Sequence, residues 1–295
     1  MTRVLLDDLN KADAATFVRA IGDVFEHSPW VAERAAARRP IGTVEGLHAA
    51  MFGEVAAASA ETKRGFVSGH PELAGKAAHS GDMTADSISE QGSAGLDRMP
   101  AGDLARFNRL NAAYRVRFGF PFVICVRRHT RASILAEFER RSAADPEREL
   151  ETALREIFFI TRLRLDARVD GPGRPHVNGR LSTHVLDTLA GRPAAGIRVE
   201  LRDISDGLPG ALMKVETTNT DGRSDEPLIG NQPLRIGHYE LTFHVADYYR
   251  RHGVALAAPP FLDQVPLRFA IAEPEGDYHV PLLCTPWSYS TYRGS

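Results

Sequence analysis

Three side chains in the C-terminal part of the chain could together do acid–base chemistry near neutral pH. His184, Arg223 and His279 lie in the motifs LSTHVLD, TDGR and YHVPLL. A neutral histidine can accept a proton from water near pH 7, and an arginine can stabilise negative charge on a carbonyl oxygen. Because alternating positions of a strand share one sheet surface, we expect the two histidines to project from the same surface.

A second set of such side chains lies in the N-terminal part. His70 lies in the motif GHPELAGK, Glu90 in TADSISEQ, and the motif TRLRL contains Arg162 and Arg164. Histidine can move a proton, a carboxylate can accept hydrogen bonds from N–H groups, and arginine can bind a carboxylate through two hydrogen bonds. The two arginines point to nearly opposite sides of a helix, so only one can face a given pocket. Both arginines flank the stripe of apolar residues on one face of this helix, and Arg164 lies nearer to the axis of that stripe.

Helical periodicity predicts the elements that hold this second set. Asn10 is expected to cap a helix whose apolar residues, from Ala14 to Phe25, follow the spacing of one helix face. Asp145-Pro146-Glu147 combines a capping carboxylate with proline at the first helical position, which predicts the start of a long helix. Another helix is predicted from Pro100 to Arg117, ended by Gly119.

The spacing of the apolar residues changes in the C-terminal part, from the helical period to alternation. Apolar residues alternate from Leu181, from Ile197 and from Tyr239, which is typical of strands, and the turn signals between them indicate a β-sandwich. Asp247 to His252 is expected to form one short helix. A segment rich in glycine and proline precedes the strands. We therefore predict an all-α N-terminal domain (1–166), a linker (167–178) and an all-β C-terminal domain (179–295).

The composition excludes several classes of protein. Of 295 residues, 43% are hydrophobic and 25% charged, and the formal net charge is −2. These values are typical of globular domains and indicate neither a nucleic-acid nor a membrane partner. The two cysteines lie far apart and the N-terminus lacks a signal-peptide pattern, so we expect a cytoplasmic protein. His238, His244 and His252 lack metal-ligand spacing, and we expect no metal.

The C-terminal motifs and the final YRGS resemble the 5-hydroxyisourate hydrolase branch of the transthyretin-like family over residues 178–295. The resemblance implies a two-sheet sandwich that forms a homotetramer, with active sites in channels between subunits. Asp277 stands where the family more often has a histidine, and which active-site histidine is the general base stays open. The residues implied to be catalytic are His184, Arg223, His279 and Ser295, and Tyr292 is implied to shape the substrate pocket.

The N-terminal motifs, with FGFPFVIC at 118–125, resemble the family that decarboxylates 2-oxo-4-hydroxy-4-carboxy-5-ureidoimidazoline (OHCU), over residues 5–168. The resemblance implies an all-helical, cofactor-free and commonly dimeric enzyme with catalytic His70, Glu90 and Arg164. The choice of Arg164 over Arg162 rests on the family match. The residues implied to contact substrate are Pro71, Ser87, Gln91, Phe122, Val123, Ile124, Cys125 and Val126.

The two resemblances imply consecutive steps of urate degradation on small-molecule substrates, ending in (S)-allantoin. The hydrolase half would open 5-hydroxyisourate to OHCU, and the helical half would decarboxylate it without a cofactor. Two alternatives remain. The helical half could be a non-catalytic assembly domain beside an active hydrolase, or the chain could be a transthyretin-like binding protein without turnover.

Overall fold

The chain folds into two compact units, Met1–Arg127 with Ile134–Val177 and Arg128–Ser133 with Asn178–Ser295. The structure is a computed structural model that describes residues 3–74 and 84–294. The N-terminal part is helical and the C-terminal part consists mainly of strands, which confirms the predicted fold class. None of the described helices is both long enough and apolar enough to cross a bilayer.

The described helices of the N-terminal part begin at side-chain caps in several places. Asp145 accepts hydrogen bonds from the backbone N–H groups of Glu147 and Arg148 (3.0 and 3.2 Å), and Gly119 ends another helix in a left-handed conformation, as predicted. The helices are α1 (Leu6–Lys11), α2 (Ala14–Ile21), α3 (Trp30–Ala35), α4 (Val44–Ala56), α5 (Ala60–Ser68), α6 (Ala85–Ser93), α7 (Ala101–Phe118), α8 (Arg131–Ser142) and α9 (Pro146–Arg168).

The prediction that Asn10 caps the helix Ala14–Ile21 is wrong. Asp13 is the cap, and its carboxylate accepts a hydrogen bond from the backbone N–H of Thr16 at 2.7 Å. Asn10 lies inside the preceding short helix, and its side-chain amide forms two 2.9 Å hydrogen bonds with the backbone of Ile41. The apolar periodicity was consistent with either start, and the carboxylate immediately before the helix satisfies the first N–H groups.

The core of the N-terminal part is built around α9. Ala153, Ile157 and Leu165 on this helix are fully buried, among residues from α2, α4 and α5. The helix ends at Arg168, and the two-residue strand β2 (Val169–Asp170) follows, paired in parallel with β1 (Val4–Leu5). Both features lie inside the segment that the sequence predicts as the start of the linker.

The described residues of the C-terminal part form two four-stranded sheets and one three-stranded sheet. Their strand orders are β10-β9-β6-β7, β13-β12-β4-β5 and β11-β3-β8. A short helix, α10 (Val245–Arg251), follows β9, as predicted. The strands are β3 (Gly179–Ser182), β4 (Val185–Asp187), β5 (Arg192–Pro193), β6 (Arg198–Asp203), β7 (Ala211–Thr217), β8 (Ile229–Gln232), β9 (Gly237–His244), β10 (Gln264–Ile271), β11 (Asp277–His279), β12 (Leu282–Cys284) and β13 (Tyr289–Thr291).

Two chain segments pass together from the three-stranded sheet to a four-stranded sheet. One leaves β3 and enters β4 through Thr183 and His184, and the other leaves β11 and enters β12 through Val280 and Pro281. The segments pair in parallel throughout, since β3 pairs with β11 and β4 with β12. The Leu282 N–H also donates to the His184 carbonyl at 2.9 Å. The alternation from Leu181 to Val185 therefore spans two strands of different sheets.

Candidate active sites

The N-terminal part contains a pocket lined by most of the side chains that the sequence singled out. It lies between α6, α9, the end of α5 and the segment after Pro121. Leu73 and Ile160, which the sequence did not single out, also line it. The predicted residues that line it are His70, Pro71, Ser87, Glu90, Gln91, Phe122, Val123, Ile124, Val126 and Arg164.

His70 is held as a neutral base. Its ring lies edge-on to Phe66, and Nδ1 is 3.2 Å from the Phe66 carbonyl oxygen, so Nδ1 carries the proton and donates. Nε2 is buried and has no hydrogen-bond partner among the described residues. Burial lowers the pKa of His70 to about 4; the Glu26 carboxylate opposes this shift and Arg164 adds to it. The unpartnered Nε2 of a pocket histidine can therefore accept a substrate proton.

Arg164 lines the pocket, and all three of its guanidinium nitrogens donate to protein acceptors. Nε and Nη2 form a two-point pair with Glu90 (3.0 and 2.7 Å), Nη2 also donates to Ser87 Oγ (3.0 Å), and Nη1 donates to Glu26 (2.6 Å). Arg162, two residues away, pairs instead with the exposed Glu45 at 2.7 Å. Of the two arginines, the structure places Arg164 at the pocket.

Glu26, a buried partner of the pocket residues Arg164 and Ser87, was missed by sequence reasoning. It lies just after the short helical turn Gly22–Phe25, with φ +48°, a conformation that is uncommon for a residue with a side chain. Its buried carboxylate accepts hydrogen bonds from Arg164, Ser87 and Thr84. Strained backbone of this kind costs roughly 1–3 kcal/mol and is found preferentially at functional sites. A single acidic residue in a loop gives no such signal in the sequence.

A buried ion pair supports the pocket wall formed by residues 122–126. Arg141 and Glu149 are both about 1% exposed, and they pair at 2.6 Å. Arg141 also donates to the Val123 carbonyl at 2.9 Å and lies over the Phe122 ring, which fixes the wall. Cys125, predicted to contact substrate, is buried in this segment but does not line the pocket; its N–H donates to a Glu156 carboxylate oxygen at 3.0 Å.

The second set of predicted residues comes together where the two segments change sheets. His184 and Arg223 form an isolated antiparallel bridge, closed by a 2.8 Å hydrogen bond from the Val185 N–H to the Gly222 carbonyl. Gly222 has φ +71°, and a Cβ there would lie 2.4 Å from the Val185 carbonyl oxygen. Glycine is therefore required for the turn that places Arg223 beside His184.

Both histidines of this set are shifted toward the neutral form. Burial lowers the pKa of His184, Arg223 lowers it further, and a hydrogen bond with the Asp221 backbone opposes the shift. Burial, Arg223 and His184 lower the pKa of His279, whose Nδ1 lies 3.0 Å from Ser182 Oγ. The buried Nε2 of His184 has no hydrogen-bond partner in the described part of the chain. A pair of neutral histidines beside an arginine is suited to proton transfer from water.

Gly294 lies against His279. The Gly294 N–H donates to the His279 carbonyl at 2.8 Å, and a Cβ at Gly294 would lie 2.7 Å from the imidazole ring. Tyr292 is 57% exposed. Ser295, predicted to be catalytic, lies outside the described residues. Asp277 is exposed on β11, in register with Arg180 and two residues before His279.

The fold and the two sites define a two-domain enzyme in which each domain carries its own histidine and arginine. Residues 10–166 match the model of the OHCU decarboxylase family, and residues 181–294 match that of the HIUase/transthyretin family. The chain belongs to the OHCU decarboxylase family in its helical part and to the HIUase/transthyretin family in its sandwich part.

Relatives of each half and of the whole chain support this assignment. A 5-hydroxyisourate hydrolase from Deinococcus radiodurans is 56% identical over 115 residues, which are 39% of this chain and 95% of that protein. A 2-oxo-4-hydroxy-4-carboxy-5-ureidoimidazoline decarboxylase from Halalkalicoccus jeotgali is 40% identical over 166 residues, 56% of this chain and 92% of that protein. The crystal structure of an (S)-allantoin synthase matches 99% of this chain and 100% of its own, with 35% identity and a TM-score of 0.55.

Proposed function

We propose that the chain converts 5-hydroxyisourate to (S)-allantoin in two steps, hydrolysis in the C-terminal domain and decarboxylation in the N-terminal domain. The observation that carries this proposal is the match along 99% of the chain to an (S)-allantoin synthase, joined to a site in each half. The alternatives, a non-catalytic helical domain and a binding protein without turnover, do not account for a histidine with a buried Nε2 that has no partner among the described residues in each half.

In the hydrolase step, His184 is the better candidate for the general base. A bond that raises the pKa of His184 joins its ring to the Asp221 backbone, and since Nε2 has no partner among the residues that the structure describes, this bond involves Nδ1. Nε2 then has the lone pair that accepts the proton of the attacking water. Arg223 would stabilise the oxyanion formed at the substrate carbonyl. The proton taken up by His184 would pass to the leaving nitrogen, and His279, bonded to Ser182, would orient the water.

In the decarboxylation step, the carbon that loses CO₂ also bears a hydroxyl. Cleavage of the carbon–carboxylate bond releases CO₂ and forms a double bond to the neighbouring ring carbon, while the electron pair of the adjacent carbon–nitrogen double bond moves onto the nitrogen, which gains a proton from solvent. The hydroxyl then loses its proton and becomes a carbonyl, while the neighbouring carbon gains a proton on one face. His70 Nε2 would accept the hydroxyl proton. Glu90 would orient the ureido N–H groups, which determines the face that is protonated.

A two-step optical assay tests the proposal. Fresh 5-hydroxyisourate is supplied from a urate oxidase reaction, its absorbance reports the first step, and circular dichroism of allantoin reports the second. The full chain should accelerate both steps, and His70→Ala should accelerate only the first. Racemic allantoin forming at the uncatalysed rate would exclude decarboxylase activity. An unchanged first step in His184→Asn would exclude the assigned base.

Assembly and location belong to the same proposal. Membership of the HIUase/transthyretin family supports a homo-oligomer, and we propose a tetramer through the C-terminal domain with further dimer contacts through the helical domain. The exposure of Arg223 and Tyr292 in the single chain is consistent with sites completed by another subunit. A monomer by light scattering, at concentrations where the hydrolase is active, would contradict this. A cytoplasmic location remains part of the proposal.

A further inference from the structure

We propose that Glu26 is a positioning residue of the N-terminal site: it is the permanent partner of Arg164, and it thereby allows Glu90 to exchange the arginine for substrate. The inference rests on the proposed decarboxylase function. It assigns different roles to the two carboxylates that share one guanidinium. Glu26 keeps the arginine in place, and Glu90 acts on the substrate.

The two carboxylates differ in burial and in the number of their partners. The Glu26 side chain is 1% exposed and Glu90 is 13% exposed. Glu26 accepts from Arg164 at 2.6 Å, from Ser87 Oγ at 3.0 and 2.9 Å, and from Thr84 Oγ1 at 2.8 Å. The described hydrogen bonds of the Glu90 carboxylate both come from Arg164. Moving Glu26 would break more bonds in a drier environment, so Glu90 is the carboxylate that can change partners.

Glu26 also fixes the start of the helix that carries Glu90. Thr84 caps α6 by accepting from the Ser87 N–H at 3.3 Å, and the same hydroxyl donates to Glu26. Ser87, one turn before Glu90 on the same helix, donates to Glu26 and accepts from Arg164. The carboxylate therefore connects α9 to the first turn of α6, which sets the distance between Arg164 and the pocket residues of α6.

Charge explains why this partner must be an anion. Without Glu26, the guanidinium of Arg164 would keep Glu90 as its close carboxylate partner, with Asp86 3.9 Å away and already paired with Arg168. Glu90 would then be held by the full charge of a buried arginine and would be less available to the substrate N–H groups. The positive φ of Glu26 is the local cost of placing its carboxylate there.

Three variants of the full chain test this role, with an excess of a separate 5-hydroxyisourate hydrolase supplying OHCU. Glu26→Gln keeps the size and removes the charge, and Glu26→Asp keeps the charge and shortens the side chain. The matched control is Glu54→Gln, a carboxylate that is 15% exposed and paired with Arg38 away from the pocket lining. The rate of (S)-allantoin formation is measured against OHCU concentration, with thermal unfolding of each variant.

We expect Glu26→Gln to lower kcat by about 10- to 100-fold with little change in KM, and Glu26→Asp to retain more activity than Glu26→Gln. A packing role predicts the opposite order, because glutamine preserves the shape of glutamate and aspartate does not. Wild-type kcat in Glu26→Gln, or a greater loss in Glu26→Asp, would overturn the inference. If the wild-type chain itself forms no excess of (S)-allantoin, the proposed function fails instead. If Glu26→Gln does not fold, Glu26→Asp is compared with Glu54→Gln. Activity close to that of Glu54→Gln supports the inference, and loss of most of that activity overturns it.

Discussion

Arg164 and Glu90 form a two-point ion pair, with 3.0 Å between Nε and Oε1 and 2.7 Å between Nη2 and Oε2. The pair uses the planar fork that the sequence suggested for binding a substrate carboxylate. In this structure the fork is therefore directed at a protein carboxylate rather than open to the pocket. A substrate carboxylate can form the same two-point pair with Nε and Nη2 of Arg164 only if Glu90 moves.

Replacing Arg164 by lysine should abolish most of the second step. A lysine ammonium cannot make the two-point pair with Glu90 while also reaching Glu26, so the pocket residues of α6 lose their common partner. We expect (S)-allantoin formation to fall by about 100-fold and hydrolysis of 5-hydroxyisourate to stay unchanged. Arg162→Lys, on the same helix but paired with exposed Glu45, is the control. Equal losses in both variants would show that the helix, not the ion pair, matters.

The stability of the N-terminal domain should depend on pH through two buried histidines. Burial lowers the pKa of both His48 and His70 to about 4, with charge from Arg162 adding to the shift at His48. Unfolded histidines titrate near pH 6.5, so between pH 6.5 and pH 4 only the unfolded state binds these protons. Stability is therefore highest above pH 6.5 and falls as the pH drops to 4, by about 3 kcal/mol for each histidine.

Urea unfolding at pH 7, 5.5 and 4.5 measures this dependence. Trp30 lies in the N-terminal domain and the other tryptophan, Trp287, is exposed in the C-terminal domain. A Trp287→Phe background therefore leaves one fluorescent reporter of the helical domain. In that background His48→Gln should remove about half of the histidine contribution, since glutamine can still donate to Thr161. An unchanged pH slope in His48→Gln would show that His48 is not the titrating group.

The parts of the structure that depend on nearby residues could be predicted, and those that depend on distant ones could not. Asp145-Pro146 determines the start of α9 within one turn, and the strand alternation from Ile197 and Tyr239 identifies β6 and β9. Glu26 could not be identified, because the arginine that gives its carboxylate a role is 138 positions away. The same applies to Arg141, whose hydrogen bond to Val123 becomes meaningful only once α8 packs on the pocket wall.

Ser182 should orient His279 in the hydrolase site. Its hydroxyl is 3.0 Å from His279 Nδ1, so Ser182→Ala removes the partner that fixes the ring and its tautomer. The loss of one hydrogen bond predicts a decrease of about 3- to 10-fold in hydrolase kcat. We also expect a shifted pH profile, while (S)-allantoin formation from supplied OHCU stays normal. Ser182→Thr keeps the hydroxyl and should restore the wild-type profile. If threonine performs no better than alanine, the contact is one of packing.

Gly222 should be required for the hydrolase because of the space around it, beyond its backbone conformation. Gly222 and Gly191 both have positive φ, +71° and +65°, so alanine at either position costs roughly 1–2 kcal/mol in backbone strain. A Cβ at Gly191 meets no atom within 4 Å, whereas at Gly222 it would lie 2.4 Å from the Val185 carbonyl oxygen. Gly222→Ala must therefore move the turn and displace Arg223 from His184.

The two alanine variants separate strain from displacement. Gly191→Ala should lower the melting temperature of the C-terminal domain and keep the hydrolase rate. Gly222→Ala should lower the hydrolase rate by about 100-fold, because the arginine no longer faces the oxyanion. The decarboxylation of supplied OHCU serves as the internal control and should be unchanged in both. Equal hydrolase activity in the two variants would show that Arg223 does not need its position beside His184, because the displaced turn would then have no effect on the reaction.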